Sequence, residues 1–154
     1  MSAAPLSAEH AAVLESMLAR LIPSDELGPG AREAGVAGYV EAALRDWHSR
    51  HAEAYAAGLG ALEQRARTEL GRGFAMCEPA EQDALLDAVE RDERDRPFFE
   101  LARTHAIEGM FGDPRWGGNA GGAGWELLGY AGPRTQWSAQ EQELGASEAG
   151  ATAR

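Results

Sequence analysis

The chain has 154 residues and a formal net charge of −11, and every basic side chain apart from its histidines is an arginine. Without lysine there is no Schiff-base nucleophile and no phosphate-loop ammonium. An acidic chain with no basic stripe is also a poor ligand for nucleic acid or for anionic lipid headgroups, which leaves proteins as the expected partners.

Length and a hydrophobic content of 44% fit one compact domain with a core of its own, while 19 glycines imply much irregular backbone. The expectation is an all-α fold of about five helices. It occupies residues 1–137 together with a long Gly- and Trp-rich irregular segment, and a flexible tail follows over 138–154. No segment has the length and apolarity of a membrane span. The opening residues carry no basic n-region and no twin arginine, so the expected location is the cytoplasm, with the periplasm as the alternative if the chain travels with a partner.

In chain order, Ser7 suits an N-cap, and Leu14, Met17, Leu18, Leu21 and Ile22 recur at helical spacing until Pro23. This predicts a first helix over roughly 8–22. Residues 24–30 gather turn formers. Val36, Tyr39, Val40, Ala43, Leu44 and Trp47 then form a second stripe.

Tyr55, Leu59, Leu62, Ala66 and Leu70 form a third stripe, which stops at Gly71, a suitable left-handed cap. Pro79 can open a short fourth helix carrying Leu85, Leu86 and Val89, with Glu81 favoured in its first turn by the helix dipole. Pro97 can open a fifth with the richest apolar face, from Phe98 to Phe111.

Beyond Phe111 glycine is too dense for a regular helix, and no alternation marks strands. A long loop, ordered or not, is expected there. From Ser138 the residues are small and polar, the composition of a tail that cannot offset its ordering entropy by burial.

Candidate chemistry is sparse. His48 and His51 have ligand spacing but sit at a helix end among arginines, where cations complement the dipole. His105 and Glu108 share a helical face, yet no histidine has a glutamate three residues before it, as the di-iron bundles require. These readings assign no metal ligand and no catalytic residue.

Cys77, the single cysteine, lies beside Phe74 and Met76 and reads as a buried, inert thiol. The glycines from Gly117 to Gly124 lack phosphate-binding spacing and follow a helix, not a strand. Trp116, Trp125, Tyr130 and Trp137 stand among the glycines and need a cover. Either they fold onto this chain's helices or they anchor a partner, as Trp, Tyr and Arg do at interfaces.

Three strings carry a resemblance: LIPSDELGPGAREAGVAGYVEAAL from Leu21, HAIEGMFGDPRWGGN from His105, and GWELLGY from Gly124. In order and spacing they resemble the gluconate 2-dehydrogenase subunit 3 family over roughly residues 10–133. The most specific piece is Asp113-Pro-Arg-Trp-Gly-Gly-Asn119 followed by Gly124-Trp125.

The resemblance implies a noncatalytic small subunit that binds and stabilises a large FAD-dependent dehydrogenase of the glucose-methanol-choline type, with a cytochrome c subunit often taking the electrons onward. FAD and the oxidation of a sugar, glycoside or gluconate hydroxyl would then belong to the large subunit. No cofactor is expected on this chain.

The residues expected to meet the partner are Asp113, Pro114, Arg115, Trp116, Gly117, Gly118, Asn119, Gly124, Trp125 and Tyr130. Two other readings stand beside this one. The first is a freestanding enzyme or small-ligand binder using His105, Glu108, Asp113 and Arg115 in a pocket formed by Trp116 and Trp125. The second is an oligomer joined through the aromatic loop.

Overall fold

The computed structural model describes residues 6–133. Among them the regular structure is helical: α1 (Ala8–Leu21), α2 (Val36–Arg45), α3 (Ala52–Leu70), α4 (Pro79–Arg91), α5 (Arg96–Phe111) and α6 (Ala123–Leu127), with short 3-10 turns between. The all-α expectation holds. The tail from Ser138 and Trp137 lie outside the described residues.

The starts and stops follow local chemistry. The Ser7 hydroxyl accepts the amide of His10 at 3.1 Å and caps α1. Glu81 reaches back to the amide of Glu78 at 2.8 Å, with Pro79 in the first turn, and so opens α4. Gly71 ends α3 at φ 70°. The fourth helix, expected to be short, runs for 13 residues, from Pro79 to Arg91.

α5 is the central element and packs against α1, α2, α3 and α4. Its buried face carries Phe98, Phe99, Ala102, His105, Ala106 and Met110. Opposite lie Val13, Leu14, Met17 and Leu18 of α1, Val36 and Val40 of α2, and Tyr55, Leu59 and Leu62 of α3. Full burial of one such aliphatic side chain contributes about 1.5–3 kcal/mol.

Two polar side chains inside this core hold the turn between α3 and α4. Glu63 accepts the amide of Phe74 at 2.8 Å, and Gln82 donates to the Phe74 carbonyl at 2.9 Å. Phe74 is thereby fixed in the core by its backbone as well as its ring.

The second helix stops at Arg45, two residues short of the apolar stripe. Trp47 therefore leaves the helical register and is 40% exposed. The segment after Phe111 also departs from expectation, because it contains a 3-10 turn at Pro114–Trp116, another at Ala120–Gly122 and the short α6. Gly117, Gly121 and Gly122 take the left-handed dihedrals that let these turns connect. No helix of the described residues is long and apolar enough to cross a membrane.

Candidate functional site

Asn119 organises the segment that follows α5. It is fully buried and left-handed at φ 46°, a conformation that Asn tolerates better than most residues. Its backbone amide donates to Gly109 O at 2.7 Å, its side-chain amide donates to Gly112 O at 2.8 Å, and its side-chain oxygen accepts the amide of Gly124 at 2.7 Å. The neighbouring Ala120 amide donates to Ala34 O at 3.0 Å. One residue and its neighbour therefore join the end of α5, the start of α6 and the approach to α2.

Two glycines of this segment, Gly118 and Gly124, are packed against α5. A Cβ on Gly118 would strike the carbonyl oxygen of Gly109, and one on Gly124 would strike that of Met110. These two glycines serve close backbone approach within this chain.

The three of the four aromatic residues that fall among the described residues separate. Trp125 turns inward: its indole donates to Phe111 O at 2.7 Å, and its ring meets Tyr130 edge-on with centroids 5.2 Å apart. Trp116 turns outward and is 51% exposed, its ring set edge-on against Trp47 at 5.6 Å. The Arg115 guanidinium lies 5.1 Å from the centre of the Trp116 ring and 3.4 Å from Asp113. Asp113 also accepts the amide of Arg115 at 3.0 Å, which shapes the turn that presents the tryptophan.

Of the expected partner-facing residues, Gly118, Asn119 and Gly124 are buried within this chain, whereas Arg115, Trp116, Gly117 and Tyr130 are exposed. Sequence reasoning missed Leu27, Leu127 and Leu128, which are exposed apolar side chains. Leu27 and Leu127 line a cleft of about 690 Å³ together with Leu21, Ile22 and Pro23. Their residue types carry no signal of exposure, since each sits where a helical stripe or turn is equally expected to bury it.

A second cluster lies where α2, α3 and α5 meet. Glu108 accepts from the Tyr39 hydroxyl at 3.1 Å and lies 3.0 Å from His48 Nε2. The Tyr55 hydroxyl lies 2.9 Å from His105 Nδ1. The His48 and His105 rings stack at 4.2 Å, and His51 is 5.5 Å from His105 between centroids.

Burial, reinforced by the neighbouring His48, pushes the His105 imidazole down to about 4, so it is neutral at ordinary pH. His51 is lowered by burial and by Arg50. Burial alone would raise the Glu108 carboxyl, but the His48 and Tyr39 hydrogen bonds outweigh it and hold it below its ordinary value. The same burial raises the Tyr55 phenol.

His105 and Glu108 thus come together, as their spacing predicts, but Asp113 and Arg115 do not join them. Those two pair with each other, and among the described residues neither makes a hydrogen bond or ion pair with His105 or Glu108. Trp116 and Trp125 rest on different neighbours. Cys77 is buried, donates weakly to Gly73 O at 3.4 Å, and has its thiol pushed up by burial.

The fold and this site define a small helical module with a hydrogen-bonded, glycine-rich segment that holds aromatic and aliphatic side chains at the surface. The family model described as gluconate 2-dehydrogenase subunit 3 matches residues 8–132, and the chain belongs to that family. The family's name makes it a subunit of a multi-subunit dehydrogenase. Neither a curated protein nor a solved structure matches the chain.

Proposed function

We propose that this chain is the noncatalytic small subunit that binds and stabilises the FAD-containing large subunit of a sugar, glycoside or gluconate dehydrogenase. The observation that carries the reading is the outward side of the segment after α5. Trp116, Leu127, Leu128 and Tyr130 are exposed there on a backbone tied down by Asn119, with Leu27 beside Leu127. Large apolar side chains held rigidly in water mark an interaction surface, and rigidity lowers the entropy lost on association.

In this reading Trp116 is the anchor, and Arg115 beside it pairs with a carboxylate of the large subunit. Hydride transfer from the sugar hydroxyl and the FAD that accepts it belong to the large subunit, of the glucose-methanol-choline type. A cytochrome c subunit takes the electrons onward. This chain contributes surface, and its net charge of −11 suits a partner with a basic face.

Hydrogen exchange of this chain with and without the large flavoprotein tests the surface. Protection at residues 24–29 and 114–130 is expected. Protection confined to the outer faces of α3 and α4 would contradict it.

A further inference from the structure

Three of the four histidines converge from distant parts of the chain. His48 and His51 lie in the connection from α2 to α3, and His105 lies in the middle of α5. One nitrogen of each ring falls within 4.8 Å of the others.

One nitrogen in each of two of the rings is held by a polar partner. His48 Nε2 faces the Glu108 carboxylate at 3.0 Å, and His105 Nδ1 faces the Tyr55 hydroxyl at 2.9 Å. Metal-ligating histidines characteristically give their second N–H to such a carboxylate or oxygen, which fixes the tautomer and aims the free lone pair inward. His48 Nδ1 is buried and has no hydrogen-bond partner. Ring packing explains the stacked planes but not a buried nitrogen left without a partner, whereas an ion does.

We propose that His48, His51 and His105 form a binding site for one divalent transition-metal ion of the zinc type, which ties the α2–α3 connection to α5. Three imidazoles suit zinc, and a fourth coordination position is left for water or for a side chain of a docked subunit.

Zinc–nitrogen bonds of about 2.0–2.1 Å put tetrahedral ligand nitrogens about 3.4 Å apart, so nitrogens now within 4.8 Å of one another close in on binding by up to about 1.4 Å. The nearly parallel His48 and His105 planes tilt apart as they do so, and the Arg50 side chain, which donates to His51 Nε2 at 3.1 Å, swings into solvent. Arg50 is exposed, so its swing meets little resistance, and His51 is half-buried outside the core.

The test is calorimetric titration of Zn²⁺ into the full chain, freed of any affinity tag and stripped with chelator, alongside the absorption spectrum of the Co²⁺ form. The expected result is one saturable site per chain and the intense visible bands of tetrahedral Co²⁺. His51→Ala is the informative variant, because His51 is not among the buried core residues and its loss leaves the core intact; at least a 10-fold loss of affinity is expected. Glu108→Gln is expected to weaken binding about 10- to 100-fold, and His10→Ala, at the remaining histidine, to change nothing. No saturable binding, equal affinity in wild type and His51→Ala, or an equal loss in His10→Ala would each overturn the proposal.

Discussion

The side-chain oxygen of Asn119 accepts the amide of Gly124 at 2.7 Å while its side-chain nitrogen donates to Gly112, so one buried amide spans the gap between α5 and α6. Asn119→Ala removes both bonds, leaves their backbone partners unsatisfied in a buried site, and puts alanine at φ 46°. The expected cost is on the order of 3 kcal/mol, read from the urea midpoint. Asn119→Gly relieves the backbone but not the lost bonds, so it should remain clearly destabilised; wild-type stability in that variant would show that the side-chain bonds contribute little.

Trp116 and Trp125 are neighbours in the sequence pattern with opposite environments, and that opposition is measurable. Trp116→Ala should leave the isolated chain within about 1 kcal/mol of wild type while reducing capture of the large flavoprotein. Trp125→Ala removes a packed ring and its bond to Phe111 O, and should destabilise the isolated chain by about 3 kcal/mol. Equal stability losses in the two variants would refute this division.

Arg20 holds Asp83 with two hydrogen bonds of 2.7 Å, one to each carboxylate oxygen. The Arg20 hydrogen bond, opposed by partial burial, keeps the Asp83 carboxyl below its ordinary value of 3.8. The folded chain therefore binds this proton more weakly than the unfolded one. The pair's contribution is present above the unfolded value and is lost as pH falls through the folded value. Asp83→Asn should flatten the acid side of the thermal-stability profile, and added salt should shrink the difference because the pair is partly exposed. Parallel acid limbs in the two proteins would contradict the pairing.

Cys77 is 7% exposed and its thiol is raised by burial, so little thiolate is present near neutral pH. An aromatic disulfide reagent should label the folded chain far more slowly than the urea-unfolded chain. Equal rates would mean that the 3-10 turn at Phe74–Met76 opens freely.

The helices were legible because each repeats apolar residues on one face, as Leu14, Met17 and Leu18 do in α1, and because Pro23, Gly71 and Pro79 punctuate them. α6 was not, since Gly122 precedes it and Gly124 lies in its first turn, and a run of glycines looks the same whether it frays or packs against a helix. The family strings were legible, but the separate fates of Trp116 and Trp125 depend on Asn119, whose hydrogen bonds reach back to Gly109 and Gly112. The histidine cluster was hidden for the same reason. Spacing joins His48 to His51, and only the packing of α5 brings His105 to them.

The most direct measurement is the flavin absorbance of the soluble large subunit produced with this chain, without it, and with Trp116→Ala. A soluble, flavin-loaded large subunit only when the wild-type chain is present, and a reduced yield with the variant, is the predicted result. A large subunit that folds, holds FAD and oxidises its sugar equally well alone would contradict the assignment of this chain as its stabilising partner.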